Sequence, residues 1–593
     1  MIATLLLAAT VATAPVERTA THAGIDVKMT VEGPLVEGTD ALIRFEVRDS
    51  TTKAPVRGAR PGAWMDSIGR ESRPKQCSDR VRVFAAGNLL ERAEVDLNSF
   101  YVLAMNDDAS ITVVDPLFGY GGTKLLALIP LPSPAEDWAL TNDDNHLYVS
   151  IPGAKQVASI DTRGWKLGKS VTLAAAPRRL RLQPDEAFVW AVTAEGVAVI
   201  RAADLSLVQT IAVPAAKDIA FSGDSRWAFV TTATGVAVID VRTMKKTKEL
   251  AAAKPVSLDW SPLAGAAYVA SEDGTVTVIG GEQMKVLARI ATEPGLVQLR
   301  VAPLGRHALA INAKTKKLLV IDTASNKVIQ TGELPGVPDQ LAFTPQLAYV
   351  RLANMSDIQM TALSQFGRIG QPVSFADFPG GQRPFADGPP SSAPGIVPSV
   401  GTEAVLIANP ADRSIYYYEE GMAAPKGSFN NYNRQARAVM VVDRSLRERA
   451  PGVYETVRRL DHAGTYDVAF LFDSPRIVDC FDVTIAADPK RPKEVKRQFA
   501  IELAEKVAQV ATGAPVSLQF RVKENGAPVT GVGDGFVLVF AAGVWQRRIP
   551  ATVANDGTYR IEFTPPQPGN YSVYLRSPSL GLEYTYFGTV RAQ

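Results

Sequence analysis

A chain of 593 residues is too long for one core, and 46% hydrophobic with 21% charged residues is an ordinary composition for a folded protein of several domains. The 63 Lys and Arg against 61 Asp and Glu leave a formal net charge of +2, no surplus with which to neutralise nucleic-acid phosphates or an anionic membrane surface. Four scattered histidines (His22, His146, His307, His462) argue against a multi-histidine metal centre.

The opening "MIATLLLAATVATAPVE" has an apolar run from Ile2 to Ala12 and small residues suited to processing after Ala14. Residues 1–20 therefore read as a secretory signal peptide, too short to span a bilayer. No Lys or Arg precedes the run, and Pro15 follows the proposed cut. The expected location is exported, periplasmic or extracellular, with no membrane span in the mature chain.

Residues 24–75 contain "ALIRFEVRD", an alternating strand, then "APVRG" and a further strand. Alternation of this kind marks half-buried antiparallel strands. Only half of a small sandwich fits before the pattern changes.

From 76 to 420 a unit of 38 to 50 residues recurs: strand ending in Asp, turn, strand, Pro-containing turn, strand, short turn, strand. "KLLVIDTASNKVIQTGELPGVPDQLAFTPQLAYVRL" is one copy. Four short strands at a period near 40 are the signature of a propeller blade. Hairpins open at Tyr101, Leu147, Phe188, Trp227, Ala267, His307, Leu347 and Val405. Eight blades are expected, or seven if one terminal unit is incomplete. The first and last hairpins should lie in neighbouring blades, hiding the edges of the array.

"ADFPGGQRPFADGPPSSAPGIVPSV", residues 376–400, reads as an irregular insertion, a lid or a plain excursion. "YYYEEGMAAPKGSFNNYN", residues 416–433, reads as a link out of the propeller, with Tyr416 and Tyr418 on one face of an edge strand and Tyr417 on the other. Asp443, Arg444, Arg447 and Glu448 of "VVDRSLRERAPG" are expected to form ion pairs at an inter-domain seam.

Residues 421–488 contain "PGVYETVRRLDHAGTYDVAFLFDSP", which matches "DGTYRIEFTPPQPGNYSVYLRSPS" of the C-terminal segment, 489–593. That segment also carries "VSLQFRVKE" and "APVTG", the counterparts of the strand and turn in 24–75. It is expected to be a complete immunoglobulin-like sandwich. The other copy is split, its halves at 24–75 and 421–488 with the propeller inserted between them. The fold class is thus all-β. Cys77 and Cys480 both fall beside the split domain, and an oxidising compartment makes a disulfide between them the expected pairing. Closing so long a loop contributes roughly 4–5 kcal/mol on the chain-entropy model, less any strain.

Propellers collect ligands where loops converge on the central channel. The turns entering the second strand of successive units carry Glu136, Asp137, Arg178, Arg179, Lys217, Asp218, Lys254 and Asp339. They form a candidate ligand or partner site, or else pair among themselves. GxSxG, HExxH, P-loop and dinucleotide motifs are missing, as is CxxCH, so no catalytic, metal or cofactor-binding residue is assigned.

The strand ends "VVDP", "SIDT", "VIDV" and "VIDT", with "LYVS", "AYVA" and "AYVR", resemble YVTN-type propeller repeats. They more distantly resemble the haem-bearing, haem-d1-like propeller of dissimilatory nitrite reductases. The sandwich segments resemble the exported immunoglobulin-like modules of the YtkA/FixH kind, found near copper-handling and oxidase-assembly proteins. These resemblances imply an exported, non-enzymatic binding or scaffold protein with a protein partner, possible service being periplasmic redox or metalloenzyme maturation. The alternative they leave is a cofactor-binding redox enzyme or subunit, with haem or copper as the group and His146 and His307 as the propeller's imidazoles. A surface adhesin is a third reading.

Overall fold

The computed structural model describes residues 14–68, 76–85, 93–116, 124–353, 355–385, 392–400, 404–489, 499–505, 509–530, 533–541, 545–554 and 556–593. Most of the expected signal segment, residues 1–13, lies outside these, while Val16–His22 pairs as an edge strand with Ile25–Glu32. The chain forms two compact units, Met1–Asp488 and Pro489–Gln593. No helix among the described residues is long and apolar enough to cross a membrane.

Among the described residues of the first unit, eight four-stranded antiparallel sheets follow one another. The first hairpins of the first three share a turn device. Thr141, Gln183 and Ser222 each accept the backbone N–H of the residue three places on, and that residue (Asp144, Glu186, Ser225) sits at φ of 56–60°. The Asp in between (Asp143, Asp185, Asp224) accepts a backbone N–H two places on. Such a turn reverses the chain without asking the strands to bend. Between sheets, alternate side chains interdigitate: Trp190, Val199, Phe221, Val230 and Ile239 form one such core.

Seven sheets are continuous in sequence, and the eighth is not. Phe100–Asn106, Ser110–Asp115 and Lys124–Pro130 take their fourth strand from Ala436–Asp443, Val439 lying opposite Ala104. Ring closure therefore uses a strand beyond the expected boundary at 420. The last hairpin packs beside the first, sharing a core of Val102, Ala104, Leu406, Ala408 and Ile415.

Two expectations for this region are corrected. The stretch 416–433 is no link: Ser414–Glu419 and Gly427–Asn430 are the third and fourth strands of the seventh sheet. Tyr416 and Tyr418 do share a face, but their strand is interior, flanked by Ala404–Asn409 and Gly427–Asn430, and all three tyrosines are buried. Nor is 376–400 wholly irregular. Ala376–Pro379 ends the sixth sheet and Ile396–Pro398 begins the seventh, so Pro379 and Pro398 occupy the edge strands that tolerate proline.

The strands flanking the array meet. Thr39–Asp49 pairs with Val453–Leu460, Phe45 facing Tyr454, and Gly62–Ser67 pairs with Gly464–Asp473. These lie in two sheets that enclose one core holding Val27, Ile43, Phe45, Phe470 and Phe481. A disulfide, Cys77–Cys480, spans 403 positions of sequence with Cα atoms 5.8 Å apart.

The second unit also has two sheets around one core. Phe520 faces Tyr559 there as Phe45 faces Tyr454. Gly452, Tyr454, Gly464 and Tyr466 recur at the same spacing as Gly557, Tyr559, Gly569 and Tyr571. Both members of each glycine pair have matching positive φ (71° and 77°, 145° and 149°). Tyr466 and Tyr571 each donate to the carbonyl four residues upstream, His462 and Gln567, at 3.0 and 2.8 Å.

Candidate functional site

The expected channel residues sit at the start of the first, innermost strands, rather than in turns entering second strands. There the alternation of a strand turns successive side chains to the neighbouring sheets on either side, Trp138 and Leu140 packing into one shared core and Ala139 into the other. Asp137, fully buried at the head of Asp137–Leu140, accepts the N–H of Trp138 at 3.0 Å and that of Leu180, on the next inner strand, also at 3.0 Å. Asp218 repeats the device with Ile219 (3.0 Å) and Leu258 (3.4 Å), and Asp259 with Trp260 and Val301 (both 2.9 Å). Glutamines continue the circuit. Gln298 accepts from Leu341 at 2.6 Å and Gln340 from Gly395 at 2.9 Å. Five inner strands are thereby fastened to their successors by a side chain reading the neighbour's backbone.

Charge pairs complete the ring. Arg179 Nε lies 2.9 Å from Asp218 and its Nη1 3.6 Å from Asp137. Arg351 grips Asp339 through two hydrogen bonds, at 2.9 and 3.0 Å. Arg437, on the closing strand, reaches Glu136 at 3.0 Å and Asp107 at 3.2 Å, which joins the eighth sheet to the first. Burial works against the Arg179 charge, yet Asp218 and Asp137 outweigh it and hold its pKa above the ordinary value. Burial likewise opposes the Asp218 carboxylate, and Arg179, Arg181 and Arg300 hold it ionised below the usual range. Arg181 fares differently: burial and the like charge of Arg179 push it down to about 10.

Of the eight expected residues, Glu136, Asp137, Arg179, Asp218 and Asp339 thus enter this network. Arg178 and Lys217 are exposed, and Lys254 stands in solvent 3.9 Å from Glu272. The segment Ser392–Gly395 comes against the same network. The Ser392 carbonyl accepts from Arg179, Ser392 Oγ donates to Glu136 at 3.4 Å, and the Pro394 carbonyl accepts from Val439 at 3.0 Å. A Cβ at Gly395 would stand 3.0 Å from Arg351 Nη1, a close approach that a larger residue would tighten. Sequence reading missed Arg181, Asp259, Arg300, Arg351 and Arg437. Arg181 had a signal, since it lies two positions after Arg179 on one strand face; Arg437 had none, because its strand was not assigned to the ring.

The seam between ring and sandwich carries the expected ionic residues. Arg447 reaches Asp144 at 2.6 Å and Asp443 at 3.7 Å, while Glu448 accepts the N–H groups of Gly58 (2.8 Å) and Gly452 (2.9 Å). Arg444 instead donates to neutral oxygens, Asn145 Oδ1 at 2.6 Å and Thr162 Oγ1 at 2.7 Å. Burial drives Asp144 up to about 6, Arg447 notwithstanding. His146 begins the strand His146–Ile151, and His307, edge-on to Phe366, is pushed below the ordinary histidine value by burial. No group of three or more His, Cys, Asp or Glu among the described residues is arranged to hold a metal ion.

No family model matches this chain. No curated protein matches it. Among solved structures the chain is similar to apo AztD from Citrobacter koseri (TM-score 0.46, 13% identity, covering 58% of this chain and 98% of that one). It is similar to a functionally unknown protein from Desulfotomaculum acetoxidans DSM 771 (0.42, 14%, 58% and 99%). The C-terminal WD40 domain of Sif2 is a further such structure (0.43, 10%, 56% and 92%).

Proposed function

We propose that this chain is an exported, non-enzymatic β-propeller protein that acts as a rigid platform for a protein partner, in periplasmic redox or metalloenzyme maturation. In this reading the eight sheets are eight blades, with Ala436–Asp443 completing the blade begun at Phe100. The flanking two-sheet domains are immunoglobulin-like. Their support is the pair of tyrosines, Tyr466 and Tyr571, that bond back to a carbonyl four residues upstream, as a tyrosine corner does. A disulfide fits an oxidising compartment.

One observation carries the proposal. The ring is fastened twice, once by its closing strand and again by sandwich strands entering from both flanks, with the disulfide beside them. Side-chain stitches and buried charge pairs run around the inner strands as well. Such bracing favours a surface held in one shape, which lowers the ordering cost of binding a partner.

The test is affinity purification of the tagged, full-length chain from its native host, with cross-linking, mass spectrometry and a visible absorption spectrum. A colourless protein that brings down one stoichiometric neighbour is the expected result. Visible bands that follow the protein through purification would overturn the proposal in favour of a cofactor-bearing redox subunit.

A further inference from the structure

The seam encloses a cavity of about 320 Å³ assembled from three stretches of chain: sandwich segments before the ring, the eighth and first sheets of the ring, and the strands after it. On one side stand Arg444 and Arg458, both buried. Arg458 donates from Nη2 to the Asp96 carbonyl at 2.8 Å and to Ser99 Oγ at 2.9 Å, and its buried Nε has no hydrogen-bond partner. Among the described residues, neither arginine has a carboxylate ion-pair partner; both are held by neutral oxygens. Burial lowers both pKa values, and the like charge of Arg458 lowers that of Arg444 further. Asp144 and Asp143 attract the Arg444 charge, and Asp96 and Asp443 that of Arg458, without reaching ion-pair distance, and two buried guanidiniums so placed form an arrangement that an anion stabilises.

Two aromatic rings also line the cavity. Tyr101 and Trp165 meet edge to face with ring centroids 5.2 Å apart, both half-buried at the cavity. Carboxylates also line the space. Asp40 is taken up by Arg163 at 2.6 Å, Glu94 lies 3.1 Å from the Tyr466 hydroxyl oxygen, and Asp96 accepts from Asn98 at 2.8 and 2.9 Å. They would repel a ligand bearing a second negative charge.

We infer that this seam cavity binds a small aromatic monocarboxylate, its carboxylate between Arg444 and Arg458 and its ring against Tyr101 and Trp165. The site differs from the ring network above and stands apart from the platform reading, since a protein partner does not require it. It also couples a ligand to the closure of the split domain, because all three stretches must be in place for the cavity to exist.

The experiment is isothermal titration of the full-length chain with four probes: benzoate, indole-3-acetate, inorganic phosphate and phenethylamine. The two aromatic carboxylates should bind, and at least ten-fold more tightly than phosphate or the amine. Arg444→Gln should weaken benzoate binding at least ten-fold with an unchanged near-ultraviolet circular dichroism spectrum. Should that variant not fold, Trp165→Ala decides, with an expected loss of three-fold or more. Benzoate affinity equal in the wild type and the folded variant, preference for phenethylamine, or no binding by either carboxylate would each overturn the inference.

Discussion

Phe45 and Phe470 stack with ring centroids 4.8 Å apart and planes inclined by 27°, although the entire sheet array lies between them in sequence. Both rings are fully buried in the core of the split domain. Phe470→Ala removes most of that contact and leaves a cavity, at a cost of about 3–5 kcal/mol. In urea unfolding followed by far-ultraviolet circular dichroism, the midpoint for the first unit should fall accordingly. A shift equivalent to under about 1 kcal/mol would mean that the two halves contribute little to one another's stability.

Cys77 and Cys480 close the same long loop covalently. Cys77→Ser together with Cys480→Ser should lower stability by about 2–5 kcal/mol, through the greater freedom of the unfolded chain. Non-reducing electrophoresis of the denatured wild type should show faster migration than the reduced form, and the double variant should lose that difference. Identical mobility of the two wild-type forms would count against the bond.

Most of the architecture was legible because local rules sufficed. Hairpin turns and four-strand periodicity mark the array, and the repeated Gly-x-Tyr spacing marks both sandwich segments. What escaped was non-local. Ala436–Asp443 reads as any apolar strand, and nothing in its residues names Phe100–Asn106 as its partner. The channel charges were recognised as a convergent set, but strand register decides which of them turn inward. Asp218 is therefore buried while its neighbour Lys217 is exposed. The tyrosines 416–418 looked like an edge because the fourth strand of their sheet, Gly427–Asn430, is short and weakly apolar.

Asp144 makes the seam sensitive to pH. Its carboxyl titrates near 6 in the folded chain, against an ordinary value of 3.8, because burial disfavours the charge. Between those values the folded state binds more protons than the unfolded state, so this group makes stability fall as pH rises from about 4 to 6, after which its effect is constant. Asp467 and Asp479, also raised by burial, act in the same direction. Asp144→Asn should therefore flatten part of that slope and gain on the order of 1 kcal/mol at pH 7, after allowance for solvent screening. Melting temperatures of both proteins at half-unit intervals from pH 4 to 7.5 read this directly, and parallel curves would assign the pH dependence elsewhere.

Arg179 and Asp218 are the pair on which the ring network turns, being buried and in contact at 2.9 Å. Breaking such a pair from one side strands a charge and costs about 3–5 kcal/mol. Arg179→Met leaves Asp218 its two backbone donors and the attraction of Arg181 and Arg300. Asp218→Asn leaves Arg179 with Asp137 and the Ser392 carbonyl. The double variant strands neither charge, so its loss should fall short of the sum of the single losses by about 1–3 kcal/mol. Thermal and urea unfolding of all four proteins form the cycle. Simple additivity would mean that the two groups act independently and that the inner strands are held by their backbone stitches alone.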